Sequence, residues 1–419
     1  MPGGASNRNT RRLLALAVTL LILAVLLLAK YGRKPDTATI QILAHAVTSP
    51  VGTDSTYYMQ MGDDAFRQPA HSIYRELFFV RHEKFIYPPS SLFLLYLLNA
   101  ARAVHLSPSA ALFALLLFSW AGILLLGVCL YKRENRTMSI SEAASVVLIG
   151  LLFLPIAEAL YRGQIQLLLT FLWGVAVVLW VVRKHGWAAF VLGLTCAFKP
   201  QLAIFLLWGI LRKQRRFTGV FAATLACIAI CSIAYFGLRN NLDYISVLGY
   251  LSRHGEALWA NQSFNGLLNR LLRNGDALSW DANVYPPYRP FVYILGTLAS
   301  LTVLAAAMLI PQLGRWQGTT ADFLFAGCSS VLISPIAWEH HYGYFFFLIV
   351  YLAARAGKMT LGVWTTVCVC TLALGNRLPP LDHRLQGPIS LISSYMLYSG
   401  IVLLCVLAAE QRRGLDRSL

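Results

Sequence analysis

Apolar runs close to a bilayer's width recur along the whole chain, separated by short polar connectors in which Lys and Arg predominate. A helix rises 1.5 Å per residue, so about 20 apolar residues match the roughly 30 Å hydrocarbon core of a membrane. The run LLALAVTLLILAVLLLAKY, residues 13–31, is the cleanest example. It follows Arg8, Arg11 and Arg12, as a signal peptide would, but its length and the lack of a small-residue cleavage site favour a signal anchor. Further spans are predicted at 108–131, 143–160, 164–182, 217–238, 291–311, 321–335, 342–356, 360–374 and 390–409. Two segments break the rhythm. Residues 187–211 are interrupted by Lys199-Pro200, which predicts two half-spans folded about that pair; the competing reading is one kinked span with Lys199 snorkelling or paired. Residues 90–104 form a short apolar stretch ending at Arg102, His105 and Pro108, and read as an interfacial helix.

Composition agrees with the pattern. Of 419 residues 57% are hydrophobic and 13% charged, with a mean hydropathy of +0.60, whereas soluble domains carry about 25% charged residues. The net charge of +17 suggests nucleic acid at first sight, but its distribution points to membrane topology. With the amino terminus inside, Lys132, Arg133 and Arg136, then Arg183 and Lys184, then Arg212, Lys213, Arg215 and Arg216 all fall on the cytoplasmic side. Arg315, Arg355, Lys358, Arg412, Arg413 and Arg417 join them, as the positive-inside rule asks. No nucleic-acid partner is expected; the lipid bilayer is. The eight cysteines lie within or beside apolar helices and read as packing residues. No Gly-rich phosphate loop or Walker motif is present, so no nucleotide-driven step is expected.

Chemistry is expected on the outer face, where the two long polar segments fall, residues 32–89 and 239–290. In the first, Asp54 opens the stretch DSTYYMQMGDDAFR, an apparent helix for which Asp54 is a natural N-cap. What accompanies it sharpens the reading. FIYPP closes that segment at residues 85–89, and YRGQIQLLL from Tyr161, GLTCAFKPQLAIF from Gly193, NQSFNGLLNRLL from Asn261 and SPIAWEHHYGYF from Ser334 follow. Each lies at a predicted outer boundary, where polar residues among apolar helices are functional by default.

This ordered set, an early Asp with a nearby Tyr, then YPP, GQ, KP, NQS and SP-x-x-W-x-HH, resembles glycosyltransferase family 87 over residues 54–344. These are polyprenol-phosphate-mannose-dependent α-mannosyltransferases of the GT-C fold. The stretch between Asp54 and Tyr87, with its acidic pair Asp63-Asp64, departs from the family pattern. The resemblance implies an all-α polytopic membrane helical bundle of the GT-C type, a single domain over residues 1–419 with about 12 spans. It implies transfer of a sugar, mannose in the family, from a polyprenyl-phosphate donor to a hydroxyl of a glycolipid or other cell-envelope glycan acceptor. The reaction would invert the anomeric carbon, outside the bacterial inner membrane, with neither cofactor nor metal. Asp54 is then the expected base, one base sufficing for inversion. Lys199, costly in a broken apolar segment unless used, is the first candidate for the departing phosphate, with Arg162, Arg270, His340 and His341 beside it. The paired histidines lack a third ligand spaced with them, so a metal site is not expected. Tyr58, Gln164, Asn261, Gln262 and Trp338 are expected at the sugar or acceptor; for the three amides the alternative is capping or interhelical bonding. A polyprenyl-linked saccharide flippase is the rival class, although no internal repeat of the transporter kind is evident.

Overall fold

A computed structural model describes residues 3–33, 37–48, 54–70, 72–382 and 387–416; of the charges assigned to the inner side, Arg417 lies outside these. The described chain is helical, and its one β-type pairing is an isolated antiparallel bridge between Asn261 and Trp338. The amino-terminal part comprises α1 (Gly3–Tyr31), α2 (Thr39–Thr48) and α3 (Asp54–Phe66), then a π-helical turn, Arg75–Val80. Next come α4 (Leu92–Ala100), α5 (Pro108–Glu134), α6 (Ile140–Leu151), α7 (Leu154–Tyr161), α8 (Gln166–Val181) and α9 (His185–Thr195). They are followed by α10 (Ile204–Leu211), α11 (Arg215–His254) and α12 (Phe264–Leu271). The carboxyl-terminal part holds α13 (Pro290–Leu313), α14 (Thr320–Leu332), α15 (Phe345–Ala353), α16 (Leu361–Gly375), the single turn α17 (Pro379–Asp382) and α18 (Tyr395–Asp416).

Length and composition qualify five helices to cross a membrane: Asn7–Tyr31, Pro108–Glu134, Arg215–His254, Pro290–Leu313 and Gly387–Arg413. α6 and α7 make a sixth if taken together, bent by 52° at their junction. The other predicted spans are shorter apolar pieces: Gln166–Val181, Pro200–Leu211, Thr320–Leu332 and Leu361–Gly375. Two helices lie in the middle of the bundle: α14 is buried from Ala321 to Leu332 and α15 along its entire length, as expected of helices apolar on every side and surrounded by other helices rather than lipid.

Local signals explain the ends. Ser139 and Glu142 form a reciprocal capping box at α6, Ser107 caps α5 with Pro108 at its first position, and Thr319 caps α14. α4 is nine residues long, too short to span about 30 Å. The segment around Lys199 does break. α9 ends at Thr195, Lys199 is extended (φ −137°, ψ 95°), and a 3₁₀ turn, Pro200–Ala203, leads into α10.

One expected boundary moves. Residues 239–254, expected as the start of an outer loop, continue α11 as a second helical arm. Gly237 holds φ 81° and ψ 153° between the two arms, a conformation only glycine adopts without strain. Beyond it Asn240 accepts from the Ile73 backbone N–H at 2.9 Å, so this arm packs on the first polar segment instead of leaving the bundle.

The connectors predicted as cytoplasmic meet one another. Arg12 donates to the carbonyls of Ala356 and Met359, Asn9 reaches Glu142, and Arg355 pairs with Glu134. Arg212, expected as a solvated loop charge, is instead fully buried: it pairs with Asp322 at 2.6 Å, and both side chains are 0% exposed. It also donates to the carbonyls of Met308 and Ala307 while Trp208 donates to Asp322, so one ion pair ties α10, α13 and α14. Breaking a buried pair leaves an uncompensated charge, so Arg212→Met should lower unfolding stability by about 3–5 kcal/mol. Thermal unfolding in detergent would read this as a clear fall in Tm; an unchanged Tm would show that Asp322 finds another partner.

Candidate active site

α3, the Tyr87 segment, the α7–α8 turn, the Lys199 break, the second arm of α11 and the segment before α15 enclose a cavity of about 830 Å³. This is the upper range for small-molecule sites, which run from about 300 to 1,000 Å³. Its wall includes Asp54, Tyr58, Gln164, Arg162, Lys199, Trp338, His340 and His341. Eight of the expected residues, drawn from four separate stretches of sequence, therefore share one space.

The α7–α8 turn aims the polar groups at Asp54. Gly163 takes φ 64°, a left-handed turn that ends α7 and lets Gln164 face α3. Gln164 Nε2 donates to Asp54 Oδ2 at 3.1 Å, and Tyr87 Oη donates to Gln164 Oε1 at 3.4 Å. The backbone is locked alongside: Asp54 N–H donates to the Arg162 carbonyl at 3.3 Å, and Ile165 N–H to Ser55 Oγ at 2.8 Å. Burial raises the Asp54 carboxyl above the ordinary carboxylate range; Arg162 and the Gln164 bond pull it back only in part, and Glu158 adds to the rise. The result is a carboxylate more basic than one in water. Tyr58, one turn along α3, is pushed up to about 12, by burial first and by the Asp54 charge next, and so stays a neutral hydrogen-bond donor.

A second group gathers at the Lys199 break. Lys199 Nζ donates to Gln166 Oε1 at 2.7 Å and is in hydrogen-bond contact with His341 Nε2. His340 packs edge-on against His341, ring centroids 4.8 Å apart. Behind them runs a chain of charges of which the sequence pointed only to Arg162: Arg162 pairs with Glu158, Glu158 with Arg377 at 2.6 Å, and Arg377 with Glu339 at 2.7 Å. Alternating signs let Glu158, Arg377 and Glu339 stay buried together, with Arg162 at the open end of the chain. Glu158 inside a predicted span and Glu339 inside the WEHH stretch were discoverable by the rule that charge among apolar helices is used. Arg377 carries no such signal, because it follows the end of α16.

Asn261, Gln262 and Arg270 stand elsewhere. None lines the cavity. Asn261 bonds the Glu256 carbonyl at 2.8 Å and the Ala337 N–H at 2.9 Å; Gln262 bonds the Trp259 and Ser393 carbonyls and the Met396 N–H. Arg270 donates to the carbonyls of Leu258 and Asn261 and to Ser394 Oγ. Expected at sugar or phosphate, these three side chains instead brace the surrounding backbone and lie off the cavity wall. Irregular backbone buried at 256–263 and 335–338 needs partners, and these side chains supply them. Asp63 is likewise turned away, accepting from Tyr96 Oη at 2.8 Å and Arg67 Nε at 2.7 Å, while Asp64 sits with Gln60 on the exposed face. Among the described residues no three His, Cys, Asp or Glu side chains converge as a metal ion requires.

The far wall holds Lys84, Glu256, Trp280 and Tyr285, none foreseen from sequence. Lys84 and Glu256 pair at 2.7 Å with both side chains nearly buried, and the Lys84 ammonium lies 3.9 Å from the Trp280 ring centroid.

The chain is similar to known proteins. Over 241 residues the chain is 27% identical to the polyprenol-phosphate-mannose-dependent alpha-(1-2)-phosphatidylinositol mannoside mannosyltransferase of Mycolicibacterium smegmatis, covering 55% of this chain and 51% of that protein. The chain thus matches about half the length of that curated relative. The model of glycosyltransferase family 87 matches residues 85–335, a stretch that holds the GQ turn, the Lys199 break and the second arm of α11. More than half of the chain is matched, and with its helical membrane architecture it belongs to glycosyltransferase family 87.

Proposed function

We propose that the protein transfers mannose from a polyprenyl-phosphate donor to a hydroxyl of a lipid-linked or cell-envelope glycan, inverting the anomeric carbon on the extracytoplasmic face of the bacterial inner membrane. The observation that carries this reading is the meeting, in one cavity, of a basic carboxylate, Asp54, with the cationic Lys199 and Arg162. An inverting transfer needs both, and needs them on opposite sides of the sugar. The acceptor oxygen forms a bond to the anomeric carbon as the bond from that carbon to the phosphate oxygen breaks. Its proton passes to Asp54, and the electron pair leaves with polyprenyl phosphate, whose growing charge Lys199, Arg162 and the histidine pair stabilise.

The cavity wall is also apolar where a donor of this kind needs it to be. Ile86, Phe198, Tyr244, Leu248 and Leu251 line it, Phe198 immediately before Lys199, so an isoprenoid tail could lie along the second arm of α11 with its phosphate at the break. The arginine-rich connectors that meet around Arg12, Glu134 and Arg355 argue for the face: by the positive-inside rule they are cytoplasmic, leaving the cavity outside. Mannose and a phosphatidylinositol mannoside acceptor are supported by the name of the Mycolicibacterium smegmatis relative.

The test is transfer of labelled mannose from purified polyprenyl-phosphate mannose to phosphatidylinositol mannosides by protein in liposomes. Labelled product formed only with protein present supports the reading. Movement of the donor lipid across the bilayer without product would favour a flippase, and product from a different polyprenyl-phosphate sugar alone would replace mannose.

A further inference from the structure

The cavity wall carries two groups of polar side chains, and Asp54 is hydrogen-bonded into the first of them through Gln164. The first holds the cations Arg162 and Lys199 with His340 and His341. The second holds Lys84, Glu256, Trp280 and Tyr285, with Trp338 beside Trp280. Tyr58 lines the same wall, near the charges of Asp54 and Glu83.

Three observations mark the second group as a ligand site rather than a structural tie. Trp280 carries the Lys84 ammonium over its ring, yet remains 45% exposed, and meets Trp338 edge-on with ring centroids 5.3 Å apart. Two large indoles meet at the cavity wall, and the part of Trp280 that Lys84 and Trp338 leave open offers an apolar surface to a ligand. The Tyr285 hydroxyl is buried and has no hydrogen-bond partner among the described residues, which is costly unless a ligand or water supplies one. Glu256 is fixed by Lys84 and by the backbone N–H groups of Ala257 and Leu258, so a carboxylate is held rigid at a cavity wall, while a plain strut would need only the ion pair. An ion pair, an unpartnered hydroxyl and an aromatic plate are the groups that recognise a cyclic polyol: its C–H face stacks and its hydroxyls reach charged acceptors and donors.

We infer that the Lys84–Glu256–Trp280–Tyr285 group is the acceptor subsite, binding the pyranose or cyclitol ring that carries the attacking hydroxyl and setting which acceptor is used. The inference rests on the transferase reading above, with the donor phosphate at the first group. Ring stacking on Trp280 and Trp338 presents one hydroxyl toward Asp54, while Glu256 and Lys84 read its neighbours.

Saturation-transfer difference NMR on the full chain in nanodiscs, with methyl α-mannoside and myo-inositol as soluble ring probes, tests this without turnover. Wild type should give a signal from at least one probe, Trp280→Ala should weaken it by about fivefold, and Trp280→Phe should restore more than half. Lys199→Met should leave the signal in place. In parallel, Trp280→Ala should raise the acceptor KM by about tenfold with the donor KM changed less than twofold, a split that mere loosening of the fold would not produce. Loss of probe signal in Lys199→Met but not in Trp280→Ala, equal shifts of the two KM values, or no probe signal in wild type would each overturn the assignment. A Trp280-dependent signal in a protein that transfers no mannose would uphold the ring subsite and bring down the donor assignment instead.

Discussion

Replacing Asp54 by Asn should reduce sugar transfer by about 10²–10⁴-fold, the range that a positioned proton acceptor contributes. Asn keeps the size of the side chain and can still bond Gln164, which now donates to Asp54 Oδ2, so the pocket should keep its shape and the donor should still bind. The measurements are initial rates at saturating donor and acceptor, and donor affinity by equilibrium binding. Lost turnover with retained binding identifies the base. Retained turnover would shift the role to Glu256, another carboxylate of the cavity wall, because Asp63 is held by Tyr96 and Arg67, Asp64 lies on the exposed face, and Glu158 and Glu339 are paired with Arg377. The raised pKa adds a second signature. A base works only when ionised, so activity should fall as pH drops through the Asp54 pKa, and the acid limb should lie above the range of an ordinary aspartate. Raising the pH above that limb should restore the full rate of wild type, not of the Asn variant.

Lys199→Met is expected to lower kcat by about 10²–10³-fold, in line with removal of one preorganised electrostatic contact to a developing oxyanion. The methionine stem fills nearly the same space, and removing a charge from among apolar helices seldom harms folding when packing is kept. Thermal stability should therefore change little while turnover falls. The phosphate's charge grows as the bond to the anomeric carbon breaks, so the loss should appear mainly in kcat rather than in donor KM. A large fall in Tm, with activity scaling only to the folded fraction, would show that Lys199 serves structure through Gln166 and His341. Unchanged kinetics would move the phosphate to Arg162, which Glu158 holds from behind.

The two effects differ in how far sequence could foresee them. Asp54, Lys199, the GQ turn and the WEHH stretch were legible because each is a polar exception in an apolar setting, and such exceptions are rare enough to be conspicuous. The NQS stretch was equally conspicuous, yet its amides lie off the cavity wall. A buried amide that holds irregular backbone and a buried amide that holds a sugar have the same sequence signature, and only the partners of Asn261 and Gln262 tell them apart. Lys84, Glu256 and Trp280 were missed for the opposite reason. In a polar loop a charged or aromatic side chain is ordinary, and nothing local marks the one that turns inward.

By itself the sequence determined the class of architecture, because hydrophobic run length answers to bilayer thickness and charge bias to topology, and both act within about 20 residues. It determined the break at Lys199 as well, since proline removes a backbone donor wherever it stands. Tertiary structure alone decided which exceptions share a site. Gln164 meets Asp54 across 110 positions, Glu256 meets Lys84 across 172, and Arg377 meets Glu158 across 219. Contacts over such separations follow from how the helices pack, which no local pattern of residues encodes.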